Sequence, residues 1–414
     1  MLMKHFYTTA LSLVLFCILI GGSATSAKTW TVDDDGPADF SKIQDAVDAA
    51  SHGDTIIVRD GIYIENIDVD KRLTIESENG SPNCVVEALD PWDDVFYVTA
   101  DYVNVRGFTL KGSTHIASGI CLHYADYCNV SNNICSSNYN GIHLICSNKN
   151  IISNNICSYN DDDGIDLWHS NYNRISNNNC SNNSAMGIHH EVSNKNIISN
   201  NNCSCNAFGI YLFDSDENSI SINNCLNNGV GIYLEASSNN NSISNNDCSL
   251  NQGGGISLHY SNNNSISNNN CLNNDDYGIF LWYSNNNVIY LNNFINNSHN
   301  FDYYESTNIW NTTEKITYTY KDKTYMNYMG NYWSDYTGVD DDDRNGIGDT
   351  PYCIDTDKDY HPLVESFENY FFIPMSTITP TPIPSPTPTP AGFETIFAII
   401  GFLMVAYVLR RQNK

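Results

Sequence analysis

The chain has 414 residues, 47 of them acidic and 19 basic, for a formal net charge of −28. Such an imbalance repels phosphodiester backbones and anionic headgroups, so it excludes nucleic acid as a partner of the folded part. Cations and neutral polymers remain, and the length allows one large domain or two ordinary ones.

Residues 1–27 read as a secretory signal. Lys4 and His5 give a polar start, Ala10 to Ile20 an apolar core, and small residues up to Ala24 and Ala27 a cleavage site. Residues 28–118 read as an N-terminal cap with the first, irregular coils of a stacked β-fold. An open stack needs its edge covered. Asp39 is placed to cap a short helix with Phe40, Ile43 and Val47 on one face. Segments 55–58, 62–67, 73–75 and 95–110 follow as strands.

Residues 119–300 carry the main signal. Gly-Ile recurs at Gly119, Gly141, Gly164, Gly187, Gly209, Gly231, Gly255 and Gly278, at intervals of 22 to 24 residues. Self-similarity at this period marks a solenoid. Each unit runs Gly-Ile-x-Leu, a polar turn, x-Ile-Ser-Asn-Asn, Cys and a second polar turn, with no helical period of apolar residues. Stacking one unit per coil aligns four ladders: Ile120 to Ile279, Leu122 to Leu281 interrupted by His190, Val130 to Ile289, and Cys135 to Cys271 closing in Phe294. Rungs about 4.8 Å apart would bury a continuous core that no single coil could close. The expected fold is therefore all-β: a right-handed, single-stranded parallel β-helix.

An asparagine ladder, Asn133 to Asn292, runs alongside; asparagine tolerates left-handed backbone and its amides bond from coil to coil. The chain has 14 cysteines, and the ladder places one small apolar side chain per coil. Zinc ligands come in close pairs instead. Neighbouring rungs fall within disulfide reach, so the spacing points to packing rather than a disulfide framework but leaves paired and unpaired thiols both open.

Along Gly-Ile-x-Leu-x the Ile and Leu point inward, so the third and fifth positions point out. Those positions align Asp166 and Trp168, His189 and Glu191, Tyr211 and Phe213, Tyr233 and Glu235, then Phe280 and Trp282 after an intervening Ser257 and His259. Trp168, His189, Tyr211, Phe213, Tyr233, Phe280 and Trp282 are the expected ligand-binding residues: sugar rings stack on aromatic faces while carboxylates accept from hydroxyls. The same row also fits plain sheet packing, because aromatics form strands well and pair along a face.

The enzymatic alternative rests on Asp166, Glu191 and Glu235. An inverting glycosidase needs two carboxyls about 6.5–9.5 Å apart. Asp166 and Glu191, on adjacent coils and offset by two residues, would lie about 8 Å apart. A lyase would want a basic residue, but Arg174, the one arginine of the regular coils, lies off the stripe.

Residues 301–372 are rich in Tyr and Trp, break the Gly-Ile period and read as an irregular C-terminal cap. Within them Asp341, Asp343, Asn345, Ile347 and Asp349 form D-x-D-x-N-G-x-x-D, close to the first nine positions of a calcium loop, with Gly346 at the bend. Tyr352 stands where a bidentate Glu would close the loop, so the expected Ca2+ affinity is modest. Residues 373–391 are a Pro/Thr stalk, too poor in apolar residues for a core. Residues 392–414, apolar and ending in Arg410, Arg411 and Lys414, read as a transmembrane or sorting-signal helix that would tie the chain to the membrane.

The opening from Val32 to Val47, with Gly53-Asp-Thr-Ile-Ile-Val and Gly61-Ile-Tyr, resembles the start of NosD-like β-helix proteins. Gly330-Asn-Tyr-Trp-Ser-Asp-Tyr, Asn345-Gly-Ile-Gly-Asp-Thr-Pro-Tyr and Tyr360-His-Pro-Leu resemble their closing signature, and such repeats are also grouped as carbohydrate-binding and sugar-hydrolase (CASH) domains. The tail from Pro390 resembles a PGF-CTERM sorting signal of archaeal surface proteins, although Ala391 interrupts Pro-Gly-Phe. The resemblance implies the β-helix fold, export and a cell-surface location. Its functional implications are weaker, since a fold hosts many functions. Carbohydrate binding or envelope architecture leads, a polysaccharide hydrolase or lyase is the alternative, and a NosD-type copper-maturation role is a third. No Met/His or Cys/His cluster of copper-site spacing stands out, so copper is not carried over.

Overall fold

The computed structural model describes residues 27–372; the signal, the stalk and the terminal helix expected from sequence lie outside the described residues. The body is a parallel β-helix with three faces. A 12-stranded sheet runs from Thr29–Val32 to Val288–Tyr290 and an 11-stranded sheet from Ile67–Val69 to His299–Tyr304. The third face begins as four strands, continues through single bridges from Ile134 to Asn270, and ends as three strands. The register is the one the ladders require: Ile188 pairs with Ile210 and then Ile232, and His190 falls between Leu167 and Leu212. One hydrophobic core runs unbroken from Val32 to Ile354.

The recurring glycines are explained by close approach. A Cβ on Gly209 would stand 2.5 Å from the Gly231 carbonyl oxygen of the next coil and 3.0 Å from the Cys203 oxygen. The ladder cysteines Cys135 to Cys271 are 0% exposed, and the thirteen cysteines among the described residues are free thiols.

The polar turns are also ladders. Asn155 N–H donates to Asn178 Oδ1 at 3.0 Å and its Nδ2 donates to the Val130 carbonyl at 2.9 Å, a pattern repeated coil after coil. Two further asparagine columns do the same, as at Asn173–Asn196 and Asn183–Asn206, and a serine column joins Ser193 N–H to Ser215 Oγ. Each bond nets about 1 kcal/mol, whereas an amide left unpaired there would cost about 1–3 kcal/mol. The left-handed residue is not the ladder asparagine but the one before it: Asn154 at φ 57° and Asn177 at φ 59°.

Three expectations change at the ends. The helix is Ile43–Ala49, buried through Ile43, Ala46 and Val47, but Asp39 does not cap it; its carboxylate accepts from Thr31 N–H and hydroxyl. Glu65 does so from the next coil, accepting from Ile43 N–H at 3.0 Å and Gln44 N–H at 3.1 Å. The strand bounds also differ: segment 62–67 is two strands on different faces, Gly61–Ile64 and Ile67–Val69, and segment 95–110 is three, Phe96–Val98, Asn104–Arg106 and Thr109–Lys111, one per face. The stack also continues past the Gly-Ile repeat: His299–Tyr304 pairs in parallel with Tyr277–Trp282, so Phe301 and Tyr303 take the Ile and Leu rungs. Beyond it, antiparallel pairing of Ile316–Tyr320 with Lys323–Asn327, and a second small core around Tyr318, Tyr320 and Tyr370, close the end.

Candidate functional site

The outward positions of the 11-stranded sheet form one column. Asp166 pairs with His189, His189 with Tyr211, Tyr211 with Tyr233, Tyr233 with Ser257 and Ser257 with Phe280. A second column, two residues on, carries Trp168, Glu191, Phe213, Glu235, His259 and Trp282. The rings touch along the axis. His189 stacks on Tyr211 at 5.3 Å and 6°, and Tyr211 meets Tyr233 at 5.2 Å. Tyr233 meets His259 at 4.9 Å, His259 meets Phe280 at 5.2 Å, and Trp282 stacks on Tyr304 at 4.5 Å. Phe208, from the turn, stacks on both Tyr211 and Tyr233. Trp168 is exposed at the N-terminal end of this surface, while most other rings are half-buried by their neighbours. Offset or tilted rings at such distances stabilise one another as well as offering faces to a ligand.

The carboxylates differ from one another. Glu235 accepts the Tyr211 hydroxyl at 2.6 Å. Asp166 does not face Glu191: it lies between two imidazoles, with Oδ2 3.2 Å from His143 Nε2 and Oδ1 3.1 Å from His189 Nδ1. Burial would raise its pKa, but the His189 contact and the His143 and His189 charges outweigh burial and hold the carboxyl below its usual range. Sequence reasoning missed Asp163, which accepts from His189 Nδ1 at 3.2 Å and is pushed up to about 6, chiefly by burial. His189 is pushed up to about 10, because the paired carboxylates of Asp163 and Asp166 outweigh the opposing effect of its burial. An inverting glycosidase requires one carboxyl kept protonated to serve as the acid. Asp166, ionised against two imidazoles, fits the base rather than the acid of such a pair, and its oxygens face His143 and His189 rather than Glu191.

In the C-terminal cap the carboxylates that converge, with ligand atoms within 4.8 Å, are Asp340, Asp343 and Asp349. Asp341 instead donates its N–H to Asp349 Oδ2 at 2.9 Å, and Asn345 Oδ1 accepts from Ile347 N–H at 2.7 Å. Asp340 holds the turn by accepting from Asn345 and Gly346 N–H.

A family model described as the periplasmic copper-binding protein NosD matches residues 47–230 and 220–338. The chain belongs to the NosD family. A second model, the PGF-CTERM motif, matches residues 391–412, and this surface-anchoring motif makes the NosD-family chain a cell-surface protein tethered at its C-terminal end. Over 127 residues the chain is 33% identical to a cell surface glycoprotein of Methanothermus fervidus. That stretch is 30% of this chain and 20% of the glycoprotein. The fold is shared with a DFA-IIIase from Arthrobacter chlorophenolicus A6 (TM-score 0.53, 14% identity, 68% of this chain and 92% of that one). It is also shared with the Dettilon tailspike protein (TM-score 0.51, 14% identity, 66% and 67%). At these identities the likeness is one of fold alone.

Proposed function

We propose that this NosD-family surface protein binds polysaccharide of the envelope or its surroundings along the aromatic face, without cleaving it. The observation that carries this is the run of touching rings from His189 to Tyr304, edged by Glu191 and Glu235. Aromatic faces take the apolar sides of sugar rings, and carboxylates accept from hydroxyls at the edge. Binding without hydrolysis is favoured because Asp166 is committed to His143 and His189. The three convergent carboxylates of the cap support a second part of the proposal, a structural Ca2+ held by Asp340, Asp343 and Asp349.

The test is a glycan-array screen of the purified chain with and without Ca2+, followed by product analysis of each glycan retained. Selective retention of intact glycan, lost in Trp168→Ala and Trp282→Ala, is expected. Shortened product that disappears in Asp166→Asn would replace this proposal with the hydrolase, and stoichiometric copper uptake with no glycan retained would replace it with copper handling.

A further inference from the structure

Membership of a family of copper-binding proteins makes copper the first candidate ion. Copper(I) favours thiolate and thioether sulfur. The three convergent donor groups among the described residues contain no sulfur, and the cysteine ladder is sealed at 0% exposure. These donors do not fit copper(I).

One of those groups has a different chemistry. We infer that Asp163, Asp166 and His189 form a binding site for a divalent first-row metal ion of the Zn2+ or Mn2+ type, with His143 and the Met186 amide as supporting groups. His189 Nδ1 lies 3.2 Å from Asp163 Oδ2 and 3.1 Å from Asp166 Oδ1. Metal–ligand bonds of about 2.0–2.1 Å put tetrahedral ligands about 3.3 Å apart, which matches the two separations from His189 Nδ1, and all three donor atoms lie within 4.8 Å of one another. Each carboxylate has its other oxygen fixed from behind. Asp163 Oδ1 accepts from Met186 N–H at 2.8 Å, and Asp166 Oδ2 meets His143 Nε2 at 3.2 Å. Metal carboxylates are oriented by such outer contacts.

Asp166 Oδ1 is buried and receives no directed hydrogen bond: the His189 Nδ1–H points to Asp163, so this oxygen is held only by the charge of the ring 3.1 Å away. A carboxylate oxygen held by charge without an aligned N–H is one that a metal ion can take over from the imidazolium proton. The stack on Tyr211 fixes the imidazole plane, and His189 remains 16% exposed, leaving the outer face open for entry and for water to complete the coordination. On binding, the ion replaces the Nδ1 proton, which leaves to solvent. An imidazole with two carboxylates suits zinc or manganese. This inference does not rest on glycan binding.

The test strips the purified full-length chain with a chelator, returns Zn2+ or Mn2+ alone, and measures bound metal per chain. About one ion is expected, lost in His189→Gln and Asp166→Asn, retained in Asp340→Asn, and bound about 10–100-fold more weakly in His143→Gln. Co2+ substitution gives a second readout in the wild-type chain: visible d–d bands without the near-ultraviolet thiolate band. No uptake by the folded wild type, a thiolate band, or undiminished binding in the folded His189→Gln variant would overturn the inference.

Discussion

Replacing His190 with leucine removes the one polar rung of the ladder from Leu122 to Leu281. The ring is 0% exposed, sits between Leu167 and Leu212, and neither of its nitrogens has a hydrogen-bond partner. Each buried unpaired polar group costs about 1–3 kcal/mol. A leucine of similar size restores the ladder, so His190→Leu should stabilise the helix by on the order of 2 kcal/mol at pH 7. The gain grows in acid. Burial, followed by the His189 charge, pushes the His190 pKa down from 6.5 to about 3. Below pH 6.5 the unfolded chain takes a proton that the folded chain refuses. The wild-type stability that is fully present above 6.5 is therefore lost at about 1.4 kcal/mol per unit as pH falls toward the folded value. Between pH 7 and 5 that is about 2 kcal/mol, a loss the leucine variant escapes. Guanidinium unfolding of both proteins, followed by tryptophan fluorescence at pH 7 and pH 5, reads the gap directly. A variant less stable than wild type, or a gap that does not widen at pH 5, would show that His190 is neither unpaired nor held neutral in the folded chain.

Gly209→Ala forces a methyl against the Gly231 carbonyl and should lower stability by at least about 2 kcal/mol, visible as a drop in the denaturation midpoint. Glu65→Gln weakens the cap over Ile43 and Gln44; the loss of a charged acceptor should cost about 1 kcal/mol and raise amide exchange in Ile43–Ala49 before the coils. Ca2+ at about 100 times its dissociation constant should stabilise the C-terminal cap by about 2.7 kcal/mol, and Asp343→Asn should abolish that response in a calorimetric scan.

The body of the fold was legible because an interior ladder admits one residue type per coil, and Ile210, Leu212 and Cys203 repeat it. The turn ladders were less so. Asn183 and Ser193 are also ordinary turn residues, so composition alone does not separate a buried rung from a solvated loop. Contacts between coils were the least legible. Glu65 caps a helix that begins 22 residues earlier, and Asp163 ends an acidic run, Asp161 to Asp163, that reads as solvated turn until the next coil sets His189 on it. In the cap, the D-x-D spacing was visible but its register was not, since Asp340 rather than Asp341 joins Asp343 and Asp349.

Hydroxyl-radical footprinting of the chain with a retained glycan tests the proposed contact between polysaccharide and the aromatic face. Trp168, Tyr233 and Trp282 should be protected, while Trp92 and Tyr102, at 65% and 52% exposure and outside that row, should oxidise as before. Unchanged oxidation of the face in the presence of bound glycan, or protection confined to Trp92 and Tyr102, would contradict the account.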